Sequence, residues 1–276
     1  MEENKNKEKK KKGINFFKKV WYSTTKFDKY TEMAEEGVKK STKYLVKLIF
    51  LLALIISIIG IYDTNLKLDE GLRYIANDLP DFKYSEDKLN VDVGEVIRGQ
   101  DTIFDLGNII LDTVTEEQDT IEEYKKEIAK SEKRTGIIIL KNKIIQVVET
   151  KENEEIKTNE ISYGYVATNL LGKTTAEFSK ADIVTFLDGT GRIYISVVNF
   201  LIYVLAYFMS YFASTIVYVL LLAVVGNITG LITKVKVKFS TIYSISVYSL
   251  TLPTILSLIY FIVKYFTGLQ IKYFDI

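Results

Sequence analysis

The 276 residues include no cysteine and no histidine, and only two prolines and one tryptophan. Without Cys there is no thiol nucleophile and no disulfide. Without His there is no imidazole base, and without either the common zinc sites are excluded. A folded domain outside the cell that lacks disulfides fits a bacterial protein. Richness in Lys, Ile and Asn agrees, being what an AT-rich genome yields. Charge is also absent from long stretches: Leu48–Tyr62 and Ile193–Thr233 carry none.

The formal net charge of +1 hides a strong segregation. Met1–Lys47 holds 14 Lys against 7 acidic residues, a net +7, whereas Asp63–Arg192 holds 17 basic and 27 acidic residues, a net −10. Beyond Arg192 the charges are Lys234, Lys236, Lys238, Lys264 and Lys272 against Asp275. Such asymmetry points to membrane topology rather than to nucleic acid.

Read along the chain, residues 1–44 form a basic cytoplasmic tail. Its polar start, with Lys9–Lys12 consecutive, cannot bury a core and is expected to be disordered. Ile14–Tyr22 follows as an amphipathic helix. Phe16, Phe17 and Trp21 are expected at the acyl boundary, and Lys18 and Lys19 at anionic headgroups. The alternative is a helix packed on its own domain. Residues 45–62 are the first span, read as a signal anchor because the basic region is long and no small-x-small cleavage site follows.

Residues 63–192 read as an extracytoplasmic α+β domain with a small antiparallel sheet. Strands are expected at Leu89–Val93, Thr102–Leu106, Asn108–Leu111 and Ile161–Val166. A charged helix is expected at Glu116–Lys133, supported by i, i+3 and i, i+4 pairs such as Glu122/Lys126. Gly136–Leu140 and Ile144–Glu149 flank a turn at Lys141–Lys143 and form the best hairpin. Ser179-Lys180-Ala181-Asp182 is a capping box opening a helix through Leu187.

Residues 193–233 are about twice what one crossing needs. They are read as span 2, with a two-span hairpin as the alternative. Residues 234–238 form a basic loop that the positive-inside rule places in the cytoplasm. Span 3 follows at 239–263, and 264–276 is a C-terminal tail. The fold class is thus membrane α-helical, about three spans, with an inserted α+β extracytoplasmic domain.

Three features in the apolar region invite a function. Gly226, Asn227 and Gly230 form G-x-x-x-G, which lets another helix backbone approach: a second copy, or the chain's own last span. Pro253 removes a backbone donor and frees the carbonyl of Ser249, so a kink is expected there. Ser244, Ser246, Ser249, Thr251, Thr254 and Ser257 stand around it, either lining a path or bonding to their own helices. The outer carboxylates Asp101, Asp105, Asp112, Glu116 and Glu117 lack calcium-loop spacing and read as a solvated face. Glycosidase chemistry would need two of them across one cleft, with Phe104, Tyr163, Tyr165 or Phe178 to stack a sugar.

The layout resembles the bacterial membrane proteins of the maltodextrin-utilisation protein MalA type. The likeness rests on Phe16-Phe17-Lys18-Lys19, Ile109-Ile110-Leu111-Asp112-Thr113, the hairpin Gly136–Val148, Phe178-Ser179-Lys180-Ala181-Asp182, and Tyr248–Thr254. It implies a membrane location and a link to maltodextrin uptake or its regulation, with no catalytic residues. A more distant likeness is to Yip1-type proteins. The expected function is non-enzymatic, a sensor, adaptor or scaffold, with an accessory transport role as the alternative. No cofactor is expected. Expected partners are the bilayer, a membrane protein or second copy, and an extracellular small-molecule or glycan ligand; nucleic acid is not expected.

Overall fold

The computed structural model describes residues 14–91, 96–101, 107–114, 118–148 and 156–271. The expected disordered start and the strand at Thr102–Leu106 lie outside them. In chain order the elements begin with α1 (Phe16–Thr25), a 3₁₀ turn, α2 (Tyr30–Ala34) and α3 (Val38–Asn77). Then come β1 (Phe82–Ser85), β2 (Lys88–Val91), β3 (Ile97–Asp101), β4 (Gly107–Asp112), α4 (Gln118–Lys130), β5 (Gly136–Leu140), β6 (Lys143–Val147) and β7 (Thr158–Ser162). The short α5 (Tyr163–Tyr165) leads into a π turn, β8 (Phe178–Ser179) and α6 (Lys180–Asp188). The long α7 (Thr190–Ile232), α8 (Phe239–Ser249) and α9 (Thr251–Thr267) complete the order. The chain divides into a helical unit, 1–60 with 200–276, and an α/β unit, 61–199.

Three helical stretches, Val38–Asn77, Thr190–Ile232 and Phe239–Thr267, are long and apolar enough to cross a membrane, which is compatible with a multi-pass membrane protein. At 40 and 43 residues, α3 and α7 extend roughly 60 Å each, about twice a hydrocarbon core. α7 has no turn of the kind a hairpin would need.

In the helical unit, α3 and α8–α9 run parallel and are joined by hydroxyls. Ser41 Oγ lies 3.1 Å from Ser244 Oγ, Thr42 Oγ1 3.0 Å from Tyr243 Oη, and Tyr44 Oη 2.9 Å from Thr251 Oγ1. α7 runs antiparallel to α3: Phe208 meets Phe50, and a Cβ on Gly60 would stand 3.0 Å from the Tyr203 ring. Met33, Leu45, Ile49, Val219, Val247 and Tyr248 fill the core between them.

The α/β unit contains two sheets. The smaller is antiparallel in the order β2-β1-β8. The larger runs β3-β4-β5-β6-β7 and is mixed, not antiparallel as expected, because β4 and β5 are parallel. A parallel pair needs a crossover, and α4 supplies it. Period-two alternation sends Ile110, Ile138, Leu140, Ile145 and Val147 to one face, where Ile121, Tyr124 and Ile128 of α4 cover them. Asp112 is buried on that face; it accepts from Tyr124 Oη at 2.8 Å and from the Val114 N–H at 2.9 Å. The strand expected over Ile161–Val166 stops at Ser162, whose hydroxyl caps α5.

The capping box at α6 is present, with Ser179 and Asp182 bonded reciprocally. The Lys173 ammonium beside Asp182, then the bonds from Ser179, hold its carboxyl below the usual carboxylate range. A lowered folded pKa stabilises the fold above the unfolded value, about 3.9, and that contribution is lost as pH falls through the folded one. Asp182→Asn is therefore expected to lower the melting temperature at neutral pH. The difference from wild type should close below about pH 4 in a pH series of thermal melts. A gap that stays constant with pH would refute the assignment.

Candidate functional site

The other face of the large sheet is also apolar, because β5 reads Gly-Ile-Ile-Ile-Leu without a polar residue. Ile109, Leu111, Ile139 and Ile144 point away from α4 into a cavity of about 360 Å³. Opposite them stand Phe82, Leu89 and Val91 of the small sheet, with Phe178, Tyr163, Val166 and Ile183. The C-terminal end of α3 and the chain just after it contribute Tyr74, Ile75, Leu79 and Pro80. Ile97, Gly99 and Gln100 of β3 are exposed and also line the cavity, as does Tyr74, so it opens along that edge.

The polar side chains in the lining are Gln100 and the hydroxyls of Tyr74 and Tyr163. Tyr163 Oη donates to the carbonyl of Leu140 at 2.6 Å, and burial pushes its pKa up, so it keeps its proton. Tyr163 packs against Tyr84 and Phe178, forming the aromatic floor of the pocket. The volume falls at the lower end of small-molecule sites, roughly 300–1,000 Å³, and such sites are mainly apolar.

The carboxylates considered for glycan chemistry do not gather here. Asp112 is on the opposite face under α4, and the side chains of Asp101, Asp105, Glu116 and Glu117 lie outside the described residues. Of the aromatics considered, Tyr163 and Phe178 line the cavity and Phe104 lies outside the described residues. Among the described residues no three His, Cys, Asp or Glu cluster at metal-binding range.

The residues singled out in the helical unit separate into different surroundings. Phe17 and Trp21 are 77% and 58% exposed, and Lys18 is also exposed. Phe16 turns inward against Tyr44. Lys19 is a correction to the headgroup expectation: it is 5% exposed and ion-paired with Glu36, with Tyr248 Oη 3.4 Å from its Nζ. The turn after α2 brings Glu36 back over α1, which no helical wheel of Ile14–Tyr22 could show.

Gly226 packs against the chain's own α8, where a Cβ would come within 2.7 Å of Ile242. A Cβ on Gly230 would stand 3.2 Å from the Val235 carbonyl oxygen, while Asn227 is exposed. The kink region falls at Leu250 between α8 and α9. Pro253 takes the first turn of α9, where a missing N–H is tolerated. Ser249 Oγ bonds the Ser246 carbonyl at 2.9 Å, Ser246 bonds Ile242, and Ser244 bonds Ser240. The stripe is thus largely bonded to its own helix and, through Ser244 and Thr251, to α3.

A family model described as a protein of unknown function, DUF1189, matches residues 17–274. The chain belongs to this family. The match takes in both units. No curated protein and no solved structure matches the chain.

Proposed function

We propose that this is a non-enzymatic multi-pass protein of the cell membrane, acting as a sensor or adaptor, whose α/β unit binds a ligand on the extracytoplasmic side. The observation that carries this reading is the cavity, because its wall includes Tyr74 and Ile75 of α3. The same helix carries the apolar stretch Leu48–Tyr62, so occupancy of the cavity bears on an element built to cross the bilayer. The parallel course of α3 and α8–α9, with α7 antiparallel, supports an odd number of crossings. The basic segments 39–47 and 234–238 then share one end, which the positive-inside rule puts in the cytoplasm.

The lining favours an apolar ligand. A glycan, the class that a maltodextrin link would imply, needs many hydrogen-bonding groups, and here Tyr163 is already engaged by Leu140. An accessory role in transport draws no comparable support, since the Ser/Thr stripe is bonded within the helical unit.

Two measurements test the reading. Lys141→Cys should react with a membrane-impermeant maleimide in intact cells while Lys236→Cys stays protected; the reverse pattern would invert the protein. In native mass spectrometry of the full chain, wild type should carry a small apolar adduct that Ile139→Trp, which fills the cavity, lacks. Identical spectra would remove the ligand from the reading.

A further inference from the structure

Resting on that reading of the cavity, we infer that its ligand is a single-chain fatty acid, with the chain in the pocket and the carboxylate on Lys180. Size is the first argument. At about 360 Å³ the cavity lies at the lower end of small-molecule sites, roughly 300–1,000 Å³. That suits one alkyl chain better than the two chains of a phospholipid. The near absence of polar lining suits a chain that asks for no hydrogen bonds along its length.

Charge is the second argument. Lys180 stands beside the cavity wall: its Nζ donates to the carbonyl of Leu79, a lining residue, at 2.7 Å. Two further lining residues, Phe178 and Ile183, lie close to it in sequence. The side chain of Lys180 is only 14% exposed, so its charge is held in place by packing. An ammonium has three donors. One goes to Leu79 and one faces Asp81 Oδ1 at 3.4 Å, the place that a ligand carboxylate would take.

The Asp81 pairing is loose, and the Asp81 side chain is 93% exposed. A ligand carboxylate can replace it without leaving a buried charge behind, since Asp81 returns to water. The segment 63–192 carries a net −10, so its overall field repels anions. Retention of a carboxylate therefore depends on this local cation and not on general attraction.

The test uses the full chain in nanodiscs of neutral phosphatidylcholine, with two photoreactive probes: dodecanoic acid and dodecanol, each bearing a diazirine near the chain end. Both probes should label peptides of β5 and the small sheet in wild type, and neither should do so in Ile139→Trp. Lys180→Gln should lower labelling by the acid about tenfold, the weight of one charge-assisted hydrogen bond, with the alcohol unchanged. Lys180→Arg should restore labelling by the acid, which separates recognition from a folding defect. If both probes label the cavity and Lys180→Gln affects neither, the carboxylate assignment falls while an apolar-ligand cavity stands. If neither probe reaches the cavity and no adduct is seen, the inference falls together with the reading beneath it.

Discussion

Replacing Lys19 with methionine is expected to destabilise the helical unit by about 3–5 kcal/mol, although Lys19 belongs to a short peripheral helix. The ammonium is buried, paired with Glu36, and 5.7 Å from the centre of the Tyr248 ring. Removing it strands the Glu36 carboxylate, whose side chain is 11% exposed and which still accepts from the Ile14 N–H at 3.1 Å. An uncompensated buried charge is far more costly than a missing contact. The double variant Lys19→Met, Glu36→Leu removes both charges and should recover most of the loss. Thermal unfolding of the full chain in detergent measures both. A single variant as stable as wild type, or a double variant no better than the single, would show that the pair is not what holds α1 against α8.

The second large effect is expected at Gly107, which opens β4. Its φ is +86°, a region that a side chain resists, and a Cβ there would lie 2.0 Å from the Thr135 carbonyl oxygen. That oxygen accepts from the Asn108 N–H at 3.1 Å, the first link of the parallel β4–β5 ladder. Gly107→Ala therefore combines a strained dihedral with a backbone collision at the point that sets register. The two together are on the order of 3 kcal/mol or more. Limited proteolysis of the full chain should show 63–192 cut faster, with the helical unit intact. Unchanged resistance would mean that the Thr135 segment yields without disturbing the ladder.

Much of the fold can be read from local pattern. The apolar runs give the three long helices, and the hairpin over β5 and β6 follows from two isoleucine-rich runs around Lys141-Asn142. Ser179 and Asp182 announce α6 because a capping box is a local device. The parallel β4–β5 pair was not foreseen, although a charged helix between two apolar runs is what a crossover needs. Other features depend on geometry with no local mark. The β1–β2 hairpin turns through Glu86 and Asp87, both at positive φ, where Gly or Asn would have been the usual signal. β3 reads Ile-Arg-Gly-Gln-Asp, an edge strand with little alternation to detect.

The cavity has a partial signature. Consecutive apolar residues in β5 mean that both faces of the strand are covered, one by α4. Nothing in the run says that the second cover leaves a space, because that depends on how β1, β2, β8 and the end of α3 meet across it. The burial of Lys19 has no local signature, for Glu36 lies 17 residues away and Tyr248 lies 229 away.

The two ends of the α/β unit are tied side by side. Arg192 on α7 is paired with Asp69 on α3, and Ser196 Oγ reaches Asn65 Oδ1 at 3.3 Å. The unit therefore enters and leaves through one antiparallel helical pair, as a cassette set into a hairpin. Such a cassette can be exchanged or shortened to a plain turn without rethreading the helices. It also imposes an order on synthesis: residues 70–191 are complete before Arg192 can reach Asp69, so the cassette has the chance to fold before its own gate is latched.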